Sequence, residues 1–400
     1  IVVWLTLGFA MGLTRGFCIH ISQAYGKKDY HLVNRGFFVA SVLSLIVGAM
    51  ISIVGSLAIR DFLILMHTPG EILEQSLDYI KVILLGFVIT VLNNLFMSVL
   101  QSLGDSSTPF WALLVSSVTN IGLDCVFVLT LKWGVQGAAA ATVLSQVFSF
   151  AICAAGLKRL KFVSILDGSK SKNARLTVRM LKTGLPVGIM SMVTAVGGMI
   201  LQFFVNDLGA SAVAAYAAST KIRSVIGEFS NALGMTFMTF VGQNYGAQKY
   251  DRIKAGVRMG VLLSILIHIP LSAVEIFVGK RIASLMVTDP PVLELCRQYL
   301  LIVGIFVFFL GFLMVFRNCI QGMGNTWIPM LSGGLEVFSR LIFGYWLGRH
   351  SFMGIAAAEA SAWISVSIML GSSFFILFRK VLRTQTPEDT TDTKNIRTVS

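Results

Sequence analysis

The sequence predicts an all-α integral membrane protein with two lobes related by an internal repeat. The first observation is composition: 55% of the 400 residues are hydrophobic and only 13% are charged, whereas a soluble domain is roughly 25% charged. The mean hydropathy is +0.79. The second observation is that apolar runs of bilayer-spanning length, about 20 residues, recur along the chain. The third is that two motifs occur twice at one offset.

Eleven apolar runs are predicted to be transmembrane helices. Each run is continuously apolar, whereas the strands of a membrane barrel alternate over roughly ten residues. The first run lacks a small-residue cleavage site, so we interpret it as part of the structure and not as a signal peptide. The runs are 1–22, 36–59, 77–102, 108–131, 135–157, 180–206, 211–242, 257–279, 295–322, 328–348 and 352–378.

Two motifs reveal the repeat. The stretch "VGQNYGAQKYDRIKAGV" at 241–257 follows "ISQAYGKKDYHLVNRGF" at 21–37 by 220 residues, with five of seventeen positions identical. At the same offset, "FRNCIQGMGNTWIP" at 316–329 matches "FMSVLQSLGDSSTP" at 96–109. The Gly-Asp and Gly-Asn steps before each proline predict short turns, in which glycine ends one helix and a side-chain oxygen caps the next.

The placement of the basic residues predicts orientation. The net charge is +13, and the loops on one side hold 20 cations against five on the other. This asymmetry follows the positive-inside rule, so we expect the basic side and the C-terminal tail to be cytoplasmic and do not predict nucleic-acid binding. Both Gln-x-Tyr-Gly motifs fall on the basic side. The two lobes therefore have the same orientation, with the symmetry axis along the membrane normal.

The offset of 220 also predicts the domain organisation. Subtracting it places the partner of the run 180–206 ahead of the start of this chain, so we expect an intact protein of two six-helix lobes. The N-terminal lobe, 1–160, would then hold helices 2–6, and a basic Ser/Lys-rich cytoplasmic linker would cover 161–176. The C-terminal lobe, 177–382, would hold helices 7–12. Residues 383–400 are predicted to be a disordered cytoplasmic tail.

Asp124 is the first candidate functional residue, because a carboxylate in the middle of a membrane helix costs at least about 2.5 kcal/mol. Asn120 lies four residues earlier, on the same helical face. Together the two side chains present several oxygens to a small hard cation such as Na+. Alternatively, burial favours the protonated carboxyl group, which would bind and release a proton. A structural role, with a neutral Asp124 satisfied by neighbouring helices, is the remaining interpretation.

The second lobe carries a pair of opposite charges, Glu336 and Arg340, spaced i to i+4 on the helix equivalent to that of Asp124. A buried ion pair is the simplest interpretation, and a role in gating or substrate binding is the sharper one.

Four further charges lie in the apolar runs of the second lobe. Lys221 and Arg223 either snorkel or pair with Glu228, which is within two turns of them. Glu228 and Glu359 are candidates to attract a cationic substrate.

Nothing in the sequence predicts an enzyme or a bound cofactor. No pairing of nucleophile and base, metal cluster or phosphate loop emerges from the apolar runs. The five cysteines lack disulfide or zinc-ligand spacing and are interpreted as small buried hydrophobic residues. They are Cys18, Cys125, Cys153, Cys296 and Cys319.

The order and spacing of several motifs resemble those of the multidrug and toxic compound extrusion (MATE) family, closest to its DinF-like bacterial and archaeal branch. The resemblance covers the whole chain and implies a twelve-helix antiporter that exports mostly cationic, amphipathic compounds in exchange for Na+ or H+. The matching segments are Gln23-Ala24-Tyr25-Gly26, Gly104-Asp105 with Pro109, "NIGLD" at 120–124, "WGVQGAAAAT" at 133–142, Gly184-Leu185-Pro186 and "VGQNYGAQ" at 241–248.

The resemblance also implies a cation site in the first lobe. In similar proteins of that branch an aspartate and an asparagine stand where Asp124 and Asn120 stand here, and Asn94 and Thr142 match two further polar members of the site. A second aspartate belongs to the family's first helix, which this chain does not include. Other branches use a glutamate in the helix after Gly-Leu-Pro, but 187–199 contains no acid.

The expected function is therefore secondary active multidrug export, by lobes that rock about a central cleft. We expect a monomer in the cell membrane, with organic cations, drugs and the lipid bilayer as partners and no cofactor besides the coupling ion. A lipid-linked oligosaccharide flippase of the same superfamily is the alternative, and a cleft with several cations would favour it. A channel is a weaker rival, since a lone buried acid suits coupled exchange better than a selectivity filter.

Overall fold

A computed structural model describes residues 2–65, 69–164, 167–168 and 173–383. Within these residues the ordered elements are helices, and π-helical stretches continue three of them at Cys125–Thr130, Val274–Val278 and Gly344–Gly348. In chain order the α-helices are α1 (Val2–Gly26), α2 (Tyr30–Leu65), α3 (Gly70–Leu85), α4 (Phe87–Ser102), α5 (Ser107–Asp124), α6 (Gly134–Arg159), α7 (Ala174–Asp207), α8 (Ala210–Gly246), α9 (Tyr250–Ala273), α10 (Gly279–Ala283), α11 (Pro290–Gly322), α12 (Trp327–Phe343) and α13 (Phe352–Arg383).

Each predicted apolar run coincides with a helix, or with a helix and its continuation. One prediction needs correction, because the run 77–102 is divided between α3 and α4, which are bent by 48°. Seven of the described helices are long and apolar enough to cross a membrane, and the bent pair makes an eighth if it is one span. The other three runs coincide with α1, α8 and α12. The chain is a multi-pass membrane protein.

The hydrophobic core of the described residues consists mainly of two clusters. One draws on side chains between Phe9 and Leu181, and the other on side chains between Ile200 and Phe378. The division falls within α7, which packs on α1 of the first lobe and on α12 of the second. Helix α7 therefore joins the two lobes side by side.

The segments predicted as linker and tail are only partly described. Phe162 and Val163 pack on the cluster of the first lobe, and α7 begins at Ala174, inside the predicted linker. Residues 165–166 and 169–172 of the linker and residues 384–400 of the tail lie outside the described part of the chain.

The two predicted turns are confirmed. Gly104 and Gly324 have φ angles of +96° and +92°, in the left-handed region that glycine enters without a steric penalty. Asp105 Oδ1 accepts the backbone N–H of Thr108 at 3.0 Å. Asn325 Oδ1 accepts the backbone N–H three residues after it at 3.2 Å. The duplication has preserved both the shape of the turn and the cap that begins the next helix.

The repeated glutamines join the two lobes reciprocally. Gln23 Nε2, near the end of α1, donates to the backbone oxygen of Gly322 at the end of α11, at 2.9 Å. Gln243 Nε2, near the end of α8, donates to the backbone oxygen of Ser102 at the end of α4, also at 2.9 Å. The two donors, Gln23 and Gln243, are 220 residues apart, and so are the two acceptors, Ser102 and Gly322. Each glutamine thus satisfies a carbonyl at the end of a helix of the other lobe.

The glycines of the same motif allow the two copies to touch. A Cβ added at Gly26 would lie 1.9 Å from the backbone oxygen of Gln243, and one added at Gly246 would lie 2.0 Å from that of Gln23. We call Gln23, Gly26, Gln243 and Gly246 the motif contact. The chain carries the motif twice because each copy packs on the other and so closes the lobes together at this end.

The five cysteines form no disulfide. Four of them are buried, as predicted, at Cys18, Cys153, Cys296 and Cys319. The prediction is wrong for Cys125, which is exposed on the π-helical stretch after α5.

Candidate functional site

Asp124 is the last residue of α5, where the helix passes into its π-helical stretch. π-Helical turns are rare and often mark functional sites. Asp124 and Asn120 are both partly buried. Asp124 Oδ1 and Asn120 Nδ2 are buried atoms, and neither has a hydrogen-bond partner among the described residues. In a membrane protein such unsatisfied groups are costly. The free oxygen of Asp124 can bind a cation or a proton, whereas Asn120 Nδ2 is a donor and can do neither.

The other two predicted site residues lie on neighbouring helices. Asn94 Nδ2 donates to the backbone oxygen of Thr90 at 2.9 Å, and Thr142 Oγ1 donates to that of Ala138 at 3.0 Å. Both bonds use donors, so the acceptor oxygens of Asn94 and Thr142 remain available. Helices α4 and α5 both pack on α6. No hydrogen bond connects the four predicted side chains in the part of the chain that the structure describes.

The chemistry of this set fits a single small cation. It combines one carboxylate with amide and hydroxyl oxygens, the hard ligands that suit such an ion. Among the described residues, no group of three or more His, Cys, Asp or Glu side chains converges on one point. Asp124 and its neighbours therefore suit Na+ or a proton better than a transition metal.

A cavity of about 570 Å³ lies between the lobes. Its wall is formed by α1, α4 and the start of α5 on one side and by α8 on the other. Of the predicted residues, Asn94 and Glu228 line it, whereas Asp124 does not. The remaining lining is mixed, with several hydroxyl and amide groups beside methionine side chains such as Met11, Met97 and Met235. Flexible methionines adapt to ligands of different shape.

The cavity contains one positive and one negative side chain, Arg15 and Glu228. Asn231 bridges them, since it accepts from Arg15 Nη1 at 3.5 Å and donates to Glu228 Oε2 at 3.5 Å. Sequence reasoning missed Arg15. The signal was present, because a lone arginine inside an apolar run is itself a functional candidate in a membrane protein.

The predicted ion pair on α12 is present and belongs to a larger network. Arg340 Nη2 lies 3.0 Å from Glu336 Oε1, and Arg317 Nη2 lies 3.0 Å from Glu336 Oε2. Arg340 Nη2 is also 3.7 Å from Glu359 Oε1. All four side chains are buried. We call them, together with Arg223 and Tyr299, the ion network of the second lobe.

Glu359 is the other centre of this network. Arg223 Nη1 lies 3.0 Å from Glu359 Oε1, and the Tyr299 hydroxyl donates to Glu359 Oε2. Arg223 is partnered by Glu359 and not by Glu228, so the pairing predicted with Glu228 is wrong for this arginine. Glu359 is only 1% exposed and is occupied by its partners. Glu359 therefore does not line the cavity, where a cationic substrate could reach it. Lys221, the other cation predicted to snorkel or pair, is exposed.

The sequence analysis did not identify three buried polar residues of the second lobe. Arg317 lies within the apolar run of α11, and Glu275 lies in the π-helical stretch after α9. Tyr299 carries no charge and gave no signal. The two charged residues could have been found by the rule that already identified Asp124, that an ionisable group within a membrane helix needs a reason.

The fold and the cavity define a helical membrane protein of two repeated lobes around a central binding space. The MatE family model matches residues 1–126 and 186–346, more than half of the chain. The chain therefore belongs to the MatE family, as the sequence motifs indicated. Members of this family are transporters.

Relatives and solved structures agree with this assignment. The "Probable multidrug resistance protein YoeA" of Bacillus subtilis (strain 168) is 27% identical over 375 residues, which covers 88% of this chain and 81% of the relative. The "outward-facing conformation" of a "multidrug resistance MATE family transporter" superimposes with a TM-score of 0.88 at 22% identity, over 96% of this chain and 87% of that one. The "inward-facing conformation" of a "multidrug resistance MATE family transporter" superimposes with a TM-score of 0.71 at 22% identity, over 96% of this chain and 90% of that one. These similarities confirm the predicted fold.

Proposed function

We propose that this protein is a secondary active exporter of cationic, amphipathic compounds, driven by the entry of Na+ or H+. The observation that carries the proposal is the cavity shared by the two lobes. It presents the Glu228 carboxylate beside methionine side chains, a combination that suits a cation with an apolar body. Relatives named as multidrug resistance proteins support the substrate class.

The proposed coupling site is Asp124 with Asn120, Asn94 and Thr142. The buried Asp124 Oδ1, which has no hydrogen-bond partner among the described residues, supports it. Asn94 lines the cavity whereas Asp124 does not, so the ion site would adjoin the substrate cavity at Asn94. Each would then influence the other through the helices that pack between them, α4 and α6.

The proposed transport cycle is alternating access by rocking lobes. The motif contact holds the lobes together at one end, and the positive-inside rule places that end in the cytoplasm. Access from the cytoplasm then requires these reciprocal bonds to break while the opposite end closes. We place the protein in the cell membrane with its C-terminal tail in the cytoplasm, and we propose that the lobe boundaries at 160 and 177 define the rocking bodies in a monomer.

The flippase alternative gains no support from the cavity. Its lining includes one cation and one acid, whereas several cations were the feature that would favour an oligosaccharide diphosphate carrier.

The test is efflux of a fluorescent organic cation from everted vesicles under separately imposed Na+ and H+ gradients. We expect one gradient to drive transport by the wild type and Asp124→Asn to lose that drive. Asp251→Asn, which changes an exposed aspartate at the start of α9, is the matched control and should transport normally. Equal transport by wild type and Asp124→Asn would remove Asp124 as the coupling residue. No cation transport by the wild type would refute the proposed substrate class.

A further inference from the structure

Glu275 is a buried acid with no role in the site described above. It lies in the π-helical stretch Val274–Val278 and is 1% exposed. Both of its carboxylate oxygens are buried, and the part of the chain that the structure describes offers them no hydrogen-bond partner. Buried polar atoms nearly always have a hydrogen-bond partner. Burying a carboxyl group without one costs free energy, and the cost is greatest when the group is ionised.

A glycine on the neighbouring helix leaves room for this carboxyl group. A Cβ added at Gly304 of α11 would lie 3.2 Å from Glu275 Cβ and 3.5 Å from Glu275 Oε2. Ser272 Oγ donates to the backbone oxygen of Gly304 at 2.7 Å, which holds α9 against α11 one turn before the acid. Glu275 is thus enclosed between two helices.

The charged groups that act on Glu275 come from two other helices. Arg223 of α8 and Glu359 of α13 are both close enough for their charges to influence it, and Tyr299 of α11 is bonded to that same Glu359. On its own helix, His268 is already held by Ser230 Oγ at 2.8 Å and by the backbone oxygen of Ser264 at 2.7 Å. Besides burial, the opposite charges of Arg223 and Glu359 therefore both act on Glu275.

The ion network is one negative charge short of neutrality. It contains three arginines and two glutamates, which are Arg223, Arg317, Arg340, Glu336 and Glu359. An ionised Glu275 would balance the excess positive charge, whereas burial and the lack of donors favour its protonated form. Burial favours the protonated carboxyl group, and the excess positive charge favours the ionised one. A small movement of a neighbouring charge can therefore decide whether Glu275 binds a proton.

We propose that Glu275 is a proton-binding site of the second lobe, coupled to the ion network through Arg223. Arg223 is the partly exposed end of that network, with 22% of its side chain accessible. It lies on α8, the helix that also carries Glu228 into the cavity. When α8 moves Arg223 toward Glu275, the carboxyl group loses its proton to water and becomes the counter-ion of the guanidinium. When Arg223 moves away, the carboxylate takes a proton from water.

Only the role of Glu275 in transport rests on the proposed function, in which Glu275 would be a proton site in addition to Asp124. The binding site itself is tested without transport. Infrared difference spectra of the purified full-length protein, taken between acidic and alkaline buffer, report the carbonyl stretch of a protonated carboxylic acid as a separate band. We expect the wild type to show a buried-acid band of Glu275 that titrates with pH. It should be lost in Glu275→Gln and kept in Asp124→Asn.

Glu294→Gln is the matched control, because Glu294 belongs to the same lobe but pairs with Lys280 and Arg297 at the surface. It should leave the band unchanged. If Glu275→Gln keeps every band of the wild type, or if the wild type shows no such band, the proposal is overturned whatever the efflux assays show.

A second measurement covers the case in which Glu275→Gln does not fold. Wild-type protein labelled with ¹³C at glutamate carboxyl groups should show the band at lower frequency, and adding Arg223→Lys should alter the pH at which it titrates. If no titrating band moves on glutamate labelling, no buried glutamate is protonated, and a titration insensitive to Arg223 removes the coupling. Either result contradicts the proposal.

Discussion

The two lobes share one fold but differ in what they place at equivalent positions. Position 120 of the first lobe is an asparagine with an unpartnered Nδ2, whereas its counterpart at offset 220 is Arg340, an ion-paired member of the network. Asp124 corresponds to Gly344. In both lobes the helix passes into a π-helical stretch at this point.

This difference shows which parts of a duplicated membrane protein are free to diverge. The turns, the π-helical stretches after α5 and α12 and the motif contact are retained in both copies, because they fix the backbone and the way the lobes meet. The polar interior is not retained. The first lobe keeps an unsatisfied carboxylate that suits an ion, whereas most charges of the second lobe are neutralised by the protein itself.

The largest expected effect is loss of stability when the network of the second lobe is broken. Glu336→Ala removes the shared partner of Arg317 and Arg340 and leaves two buried arginines without it. Removing one member of a buried ion pair costs about 3–5 kcal/mol. We expect a large fall in the thermal unfolding midpoint of the detergent-solubilised protein.

The control is Glu74→Ala, which removes an exposed partner of Arg60 at 3.4 Å and should cost less than about 1 kcal/mol. If Glu336→Ala unfolds at the wild-type temperature, the second lobe does not depend on its ion pairs and the contrast between the lobes is lost.

The second prediction concerns the part that the lobes share. Gly26→Ala and Gly246→Ala each place a methyl group within 2.0 Å of a backbone oxygen of the other copy, so the lobes must separate at this end. Overpacking of this kind costs about 1–3 kcal/mol. We expect both variants to raise hydrogen–deuterium exchange in 20–28 and 240–248 to a similar extent. A strong effect from only one variant would contradict the reciprocity of the contact.

The third prediction separates coupling from stability in the first lobe. Asp124→Asn and Asn120→Ala should reduce gradient-driven efflux, at least tenfold for Asp124→Asn, which corresponds to about 1.4 kcal/mol or more. Neither change should lower the thermal unfolding midpoint, because both remove groups that lack a partner in the protein. Loss of stability similar to that of Glu336→Ala would show that Asp124 is a structural residue after all.

Much of this architecture could be predicted from the sequence. Long apolar runs indicate the membrane spans, and motifs that recur at a constant offset indicate the repeat. The turns at Gly104 and Gly324 and the pair of Glu336 with Arg340 followed from local spacing. The network did not, because Arg223, Arg317 and Glu359 are brought into it by tertiary packing and lie far apart in the chain. The role of Gln23 was also invisible, since its partner is a backbone oxygen and leaves no trace in the sequence.

The smallest expected effect lies in the cavity, where the lobes contribute opposite charges. Glu228→Gln should weaken binding of a fluorescent organic cation about threefold to tenfold, since an exposed carboxylate in water-filled space contributes about 1 kcal/mol. Arg15→Gln, the matched change on the other wall, should leave cation binding unchanged or strengthen it, because it removes a like charge. Fluorescence polarisation of the purified protein at two salt concentrations measures both, and screening should reduce the effect of Glu228→Gln. Equal weakening by the two variants would mean that the bridge through Asn231 shapes the cavity, and that neither charge selects the ligand.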